Sequence, residues 1–216
     1  MHYIQQYILD TLVFSEFLRN RDMRPPRVES NLYQYHLKEL QKDGYIKKQD
    51  GLYTLSKKGL KYAGSHSTTL KKPRQQPTVL AITFIEDGAG NILIRTKQRQ
   101  PFIGMKSLFM GKMHLDETVI ETSQREFTEK TGGKPEGLRF EQFATAHVVV
   151  RQEDCIISDY IGLLVRVVVP TDAPTGPDAM FMDPSTDILS LSPGIRQLLD
   201  MYANGDTFGE HLIEIQ

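Results

Sequence analysis

The most informative segment of the chain covers residues 111–133 and reads GKMHLDETVIETSQREFTEKTGG. In it a glycine is followed after five residues by a glutamate, and seven residues later by the run Arg-Glu-Phe-Thr-Glu-Lys-Thr-Gly. On an α-helix, positions 126, 129 and 130 are separated by i+3 and i+4 steps, so their side chains share one face. Ile120 and Phe127 lie on the other side, where they can pack against a sheet. The pattern predicts an amphipathic helix with carboxylates on its exposed face.

Carboxylates at this spacing are suited to metal chemistry. Glu126 and Glu129 could hold a hard divalent cation such as Mg²⁺, which would neutralise a diphosphate and activate a water molecule. Arg125 is expected to pair with Glu117 and so fix the preceding loop against the helix. Gly111 is expected to let the backbone turn closely enough for a carbonyl to reach the metal.

This segment resembles the Nudix box, a loop–helix–loop that binds Mg²⁺ and a diphosphate. Six characteristic positions of the box are filled, by Gly111, Glu117, Arg125, Glu126, Glu129 and Gly132. The resemblance covers about residues 78–215 and implies an αβα sandwich built on a mixed sheet. It implies catalytic roles for Glu117, Arg125, Glu126 and Glu129, and metal-ligand roles for Glu126, Glu129 and Gly111.

The chain departs from the box at several positions. Lys130 stands where the family has another metal-binding glutamate, and an ammonium there would repel the cation. The same lysine can contact phosphate directly, so Lys130 and Lys112 are candidate ligand-binding residues. Met110 replaces a usual glycine, His114 a common acid and Gly133 an apolar residue. We therefore expect weak Mg²⁺ binding, and the sequence leaves hydrolytic activity open.

Later residues offer further candidates. Glu153, Asp154 and Asp159 could each complete the metal site, and the sequence does not choose among them. His147 lies in a predicted strand and is expected to be structural. Cys155, beside apolar Ile156 and Ile157, is expected to be buried.

The remaining pattern of this half fits the same fold. Strands are predicted at 79–85, 92–96, 138–150 and 156–169, a long loop at 170–187 and a closing helix at 193–203.

Charge divides the chain into two parts. Residues 1–76 hold 14 Lys and Arg against 7 Asp and Glu, whereas residues 77–216 hold 12 against 20. The polar stretch 65–77 contains Pro73 and Pro77 and is typical of a linker. We predict two domains, 1–64 and 78–216; random scatter of charge is the alternative.

The first domain combines helices with a short hairpin. A helix is predicted over 3–18 with a break near Phe14, and a second over 29–43, stopped by Gly44. Its core face is expected to include Leu32, His36 or Leu37, and Leu40. Strands at 45–49 and 52–55 flank an Asp50-Gly51 turn, and Ser56 caps a last helix at 57–63.

This arrangement resembles the winged helix-turn-helix family of DNA-binding domains, which implies an α+β fold with 29–43 as recognition helix. The candidate groove contacts are Asn31, Gln34, Tyr35 and Lys38, and the candidate phosphate contacts are Arg27, Lys47 and Lys48. A protein-contact or dimerisation surface and an inert appendage are the alternatives.

Composition bounds the setting. With 39% hydrophobic and 25% charged residues, the chain is typical of a globular protein. No apolar run is long enough to span a membrane, the first residues do not form a secretory signal pattern, and the single cysteine cannot make an internal disulfide. A cytoplasmic protein with no membrane partner is expected.

Two functions compete. The first is a homodimeric transcriptional regulator that binds DNA and a nucleoside-diphosphate-linked metabolite such as ADP-ribose. Regulators that combine these two modules usually carry the winged helix at the C-terminus, so the order is reversed here. The second is an active Mg²⁺-dependent Nudix pyrophosphohydrolase with the winged helix as an accessory or dimerisation module. A structural or protein-interaction role is a third possibility.

Overall fold

The structure is a computed structural model of the 216-residue chain, and it describes residues 1–67, 72–73, 75–185 and 190–215. The chain divides into two compact units, Met1–Gln76 and Pro77–Gln216. Part of the predicted linker, the end of the predicted loop at 170–187 and Gln216 lie outside the described residues. Within the described ranges, no helix has the length and apolar character to cross a membrane.

The helices of the first unit are α1 (Tyr3–Val13), a 3₁₀ helix (Asn20–Met23), α2 (Ser30–Lys42) and α3 (Lys57–Ser65). Helix α1 ends at Val13 and is capped by Phe14, which is where the break was predicted. After α2, Gly44 adopts a φ of 75°, a left-handed conformation that glycine accepts without strain. The predicted stop at Gly44 is confirmed.

The predicted hairpin joins β1 (Ile46–Gln49) to β2 (Leu52–Leu55) in antiparallel register. Asp50 and Gly51 both have positive φ, as a tight two-residue turn requires. Leu18 exchanges backbone hydrogen bonds with Tyr53 and so adds a third, one-residue strand. Two short segments, β3 (His66–Ser67) and β4 (Lys72–Pro73), pair near the end of the unit.

The buried face of α2 differs in phase from the prediction. Tyr33, His36, Leu37 and Leu40 are buried, whereas Leu32 is 43% exposed. Tyr33 takes the core position because its ring fills the interior while its hydroxyl donates to the Asn20 carbonyl at 2.7 Å. Leu32 was therefore assigned to the wrong side of the helix.

The second unit contains an eight-stranded mixed sheet in the order β11-β6-β5-β10-β9-β12, with β7 beside β6 and β8 beside β5. The strands are β5 (Thr78–Glu86), β6 (Ile92–Thr96), β7 (Lys106–Ser107), β8 (Phe109–Lys112), β9 (Glu141–Gln152), β10 (Cys155–Val168), β11 (Ala179–Met182) and β12 (Phe208–Ile215). Pairs β5–β10 and β9–β12 are parallel and the other pairs are antiparallel.

One helix packs on each face of this sheet. Phe127 of α4 (Val119–Thr131) shares a core with Leu93 of β6, whereas Leu198 of α5 (Ile195–Asn204) shares a core with Ile92 and Ile94. Successive residues of a strand point to opposite faces, so the two helices cover opposite sides. The predicted αβα sandwich on a mixed sheet is confirmed.

Three details differ from the sequence prediction. The predicted loop at 170–187 contains β11, which pairs with β6. Strands β7, β8 and β12 were not predicted. Cys155 is exposed rather than buried, because it begins β10 directly after the turn at Glu153, at the far end of the β9–β10 hairpin.

Candidate functional site

Helix α4 is fixed at both ends by local interactions. The Thr118 hydroxyl oxygen accepts a hydrogen bond from the Glu121 N–H, and the Glu121 carboxylate accepts one from the Thr118 N–H, so the two residues form a capping box at the N-terminus. Gly132 ends the helix in the left-handed conformation. These caps fix the residues at which α4 begins and ends, and therefore which side chains lie on its charged face.

The predicted pair between Arg125 and Glu117 is present and bidentate. Arg125 Nε lies 2.7 Å from Glu117 Oε1, and Nη2 lies 3.0 Å from Oε2. Arg125 Nη2 also donates to the Lys112 carbonyl at 3.1 Å. The Arg125 hydrogen bonds, followed by one from the His114 amide, lower the pKa of Glu117 to about 2. The loop before α4 is thus anchored to the helix by a charged clamp.

Gly111 lies in β8 and not in the close backbone turn that was predicted. A Cβ built there would come within 2.1 Å of Glu126 Cγ. The missing side chain makes room for Glu126, which is only 8% exposed. A glycine at 111 therefore permits the buried carboxylate to lie directly against the strand.

Both oxygens of Glu126 contact a cation of the chain itself. Lys130 Nζ lies 2.5 Å from Oε2, and Arg125 Nη1 lies 2.8 Å from Oε1. Lys130 also donates to the Met110 carbonyl. Burial lowers the pKa of Lys130, and the hydrogen bond to Glu126 opposes this effect. Glu129 is more exposed and lies 3.6 Å from Arg125 Nη1.

These contacts do not suit a metal ion. An Mg²⁺ held by Glu126 would have to displace Lys130 or share the carboxylate with two cations. Among the described residues, no group of three or more His, Cys, Asp or Glu side chains is placed to hold a metal. The residues that the sequence assigned to Mg²⁺ therefore do not fit it well.

A cavity of about 790 Å³ opens beside α4. That volume is typical of a small-molecule site. Its charged lining is mainly basic, although residues 77–216 as a whole are acidic. Two glutamates, Glu126 and Glu129, line it together with the cationic residues Arg95, Lys97, Arg99, Lys112, Arg125 and Lys130. This excess of positive charge favours an anionic ligand.

The cavity also has an apolar side. It is lined there by Leu80, Leu108, Val150, Tyr160 and Ile195. A ligand with an anionic part and a flat, weakly polar part would match both sides of the cavity.

The three later carboxylates do not line this cavity. The Asp159 carboxylate accepts a hydrogen bond from His147 Nε2 at 2.9 Å, while its neighbours Ser158 and Tyr160 line the cavity from the other face of β10. Glu153 lies in the turn between β9 and β10. His147 has the partner that a structural histidine needs.

Sequence reasoning missed Arg95, Lys97 and Arg99. The signal that could have found them is their alternate spacing in Arg-Thr-Lys-Gln-Arg, because residues two apart in an extended segment share one face. Arg95 is in β6, and the other two follow directly after that strand.

The candidate DNA contacts occupy the surface of the first unit. Asn31, Tyr35 and Lys38 are exposed on α2, as are Arg27 before it and Lys47 and Lys48 on β1. Gln34 is half-buried and its amide donates to Asn20 Oδ1 at 3.1 Å. Gln34 is thus already engaged within the unit.

Comparison with known proteins gives a fold but no close relative. No protein-family model matches the chain, and no curated protein matches it. The Nudix domain of Shewanella oneidensis NrtR, cocrystallised with ADP ribose, matches with a TM-score of 0.50 at 16% identity, over 67% of this chain and 96% of that one. That likeness shows that the chain contains the Nudix fold.

Two further solved structures are similar at a lower level. A Nudix hydrolase from Nitrosomonas europaea has a TM-score of 0.47 at 16% identity, over 67% of this chain and 82% of that one. Shewanella oneidensis NrtR complexed with a 27mer DNA has a TM-score of 0.47 at 19% identity, over 60% of this chain and 61% of that one.

Proposed function

We propose that the chain is a ligand-responsive DNA-binding regulator. The second unit binds a nucleoside-diphosphate-linked metabolite of the ADP-ribose kind without hydrolysing it at enzyme rates, and the first unit binds DNA. The observation that carries this proposal is the contact of Lys130 with Glu126 inside a basic cavity.

The ligand class follows from the cavity and the fold. The basic lining suits a diphosphate, and the apolar side suits a nucleoside. The Nudix fold is shared with a domain that was cocrystallised with ADP ribose. ADP-ribose combines both chemical features, so it is the probe with which to begin.

The proposal against turnover rests on the carboxylates. Hydrolysis by a Nudix box needs Mg²⁺ to neutralise the diphosphate and to activate water. Here the most buried box carboxylate, Glu126, is paired with Lys130 and Arg125. Ligand binding does not require the metal, whereas water activation does.

The first unit supports DNA binding through its shape and charge. Helices α1 and α2 are followed by the β1–β2 hairpin and then by α3. This is the combination of helices and a short hairpin on which the winged-helix resemblance rests. Residues 1–76 carry seven more basic than acidic side chains, and such an excess attracts DNA phosphate. We propose that α2 enters the major groove, that Lys47 and Lys48 meet phosphate, and that a homodimer reads a palindromic site.

One observation favours the alternative, a Mg²⁺-dependent hydrolase. The Arg125–Glu117 clamp is intact, and Glu129 faces the cavity with a side chain that is 57% exposed. A single carboxylate could hold a cation loosely at that position.

The regulator is tested by selecting a DNA site from a random duplex library with the full chain. DNA affinity is then measured by fluorescence anisotropy with and without ADP-ribose, using AMP as the control ligand. We expect ADP-ribose, and not AMP, to change DNA affinity by about fivefold or more. Failure to select any site, or equal affinity under all three conditions, would contradict the regulator.

A further inference from the structure

We infer that the second unit holds the diphosphate of its ligand without Mg²⁺, through a basic wall formed by Arg95, Lys97, Arg99 and Lys130. This inference deepens the proposed function and rests on it. In a Nudix box with a full set of carboxylates, a metal ion neutralises the charge of the diphosphate. Here these four side chains would neutralise it instead.

The wall is assembled from two elements that approach across the cavity. Arg95, Lys97 and Arg99 come from the end of β6 and the segment after it, and Lys130 comes from the last turn of α4. All four line the same cavity. Burial, then Arg99 and Lys130, lower the pKa of Lys97, so these charges are close enough to repel one another.

Three of the four cations in the wall have no ion-pair partner among the described residues. In the described part of the chain, no carboxylate lies within 4.0 Å of the charged groups of Arg95, Lys97 or Arg99, and Lys130 alone is paired, with Glu126. Arg95 and Lys97 instead lie about 5.7 and 5.6 Å from the ring centroids of Phe109 and Phe102. Partly desolvated like charges are unfavourable in the empty protein, and a bound diphosphate would offset that cost.

Lys130 occupies the place where a metal would have to act. It bridges Glu126 Oε2 and the Met110 carbonyl, and therefore links the helix to β8 through one positive charge. A phosphate that approaches α4 meets an ammonium already held in position by an acid and a carbonyl. The protein itself thus supplies the cation.

Calorimetric titration of the full chain tests the inference. ADP-ribose and inorganic pyrophosphate are each titrated in EDTA and in Mg²⁺. We expect both to bind in EDTA, with no loss of affinity relative to Mg²⁺. Arg99→Gln and Lys97→Met should each weaken binding about tenfold or more, because each removes a charge-assisted contact.

Arg139→Gln is the matched control. Arg139 is also an arginine of the second unit, but its side chain is 84% exposed, its partner is Glu141, and it does not line the cavity. The control should bind as the wild type does. Because Arg99 is exposed, Arg99→Gln is expected to fold normally, and a thermal melt of each variant checks this.

The outcomes separate this inference from the proposed function. Binding that occurs in Mg²⁺ and disappears in EDTA would overturn the metal-free wall and leave the nucleotide sensor intact. A second outcome is that pyrophosphate binds in EDTA, that Arg99→Gln loses this binding, and that ADP-ribose binds no more tightly than pyrophosphate. This outcome would support the basic wall and overturn the nucleotide sensor. No binding of either probe under any condition would overturn both.

Discussion

The ammonium nitrogen of Lys130 lies 2.5 Å from Oε2 of Glu126, one helical turn away on the same face of α4. Arg125 holds the other oxygen of that carboxylate. At position 130, where the resemblance to the Nudix box implies a metal-binding glutamate, the chain thus has a cation paired with Glu126. The proposed change from hydrolysis to ligand sensing follows from this pairing.

The clamp between Arg125 and Glu117 should make the second unit sensitive to acid. The pKa of Glu117 is lowered from an ordinary 4.5 to about 2 in the folded chain. A lowered folded-state pKa contributes stability that is fully present above about 4.5 and is lost as the pH falls toward about 2. Glu117→Gln removes this contribution.

Denaturant melts from neutral pH down to about 3 check the clamp. We expect Glu117→Gln to be less stable than the wild type at neutral pH, and the gap between the two to narrow as the pH falls. A gap that stays constant with pH would mean that the carboxylate charge is not what stabilises the loop.

Gly111 should tolerate no side chain. In Gly111→Ala the new methyl group would collide with Glu126 Cγ. The backbone of β8 cannot move away from this collision without breaking its pairing with β5. We expect the free energy of unfolding to fall by about 1–3 kcal/mol, the usual cost of overpacking.

Gly88→Ala provides the control for Gly111→Ala. A Cβ at Gly88 has no neighbour within 4 Å, so its effect should stay within about 0.5 kcal/mol. Equal effects of the two substitutions in urea melts would show that Glu126 does not lie against Gly111.

The helix of the box was predictable because its determinants are local. The caps Thr118 and Gly132 and the spacing of Glu126 and Phe127 are all set by neighbours in sequence. The pairing of Arg125 with Glu117 was predictable for the same reason, since the two partners are only eight positions apart in the sequence.

The basic wall was not predictable in this way because β6 and α4 meet only in the folded unit. The strand β12 was missed because its outward side chains, among them Phe208 and Leu212, are exposed and give no clear buried face. The error at Leu32 has another origin: a shift of one residue along α2 exchanged it for Tyr33, which the helical period alone does not exclude.

Ligand binding should be coupled to protonation at Lys97. Its pKa is lowered in the empty cavity by burial and by neighbouring cations, and a bound diphosphate would raise it again. The affinity for ADP-ribose should therefore be greatest at a pH below the pKa of Lys97 in the empty protein, and it should fall as the pH rises through that pKa.

Titrations with ADP-ribose at alkaline pH, in two buffers of different ionisation enthalpy, measure this proton uptake. We expect uptake by the wild type and a smaller uptake by Lys97→Met. If the two proteins take up the same number of protons, the coupling belongs to another group.

The hairpin lysines should contribute to DNA binding through phosphate. Replacing Lys47 and Lys48 together by alanine should weaken binding to all DNA sequences. The plot of log DNA affinity against log salt concentration should become less steep, its negative slope decreasing in magnitude by about 2. Anisotropy titrations over a range of salt concentrations give the slope. Arg139→Ala, in the other unit, should leave it unchanged; an unchanged slope in the lysine variant would remove these residues from the interface.

The cavity of the second unit is proposed to bind its ligand without cleaving it. The most direct measurement mixes the full chain with ADP-ribose and Mg²⁺ and follows the products by chromatography, with Lys130→Glu treated in parallel. We predict that the wild type binds ADP-ribose but forms no product at ordinary enzyme rates, and that Lys130→Glu, which restores the carboxylate, gains Mg²⁺-dependent cleavage. Turnover by the wild type at about 1–1,000 per second would overturn the proposed ligand sensor and identify the chain as a hydrolase.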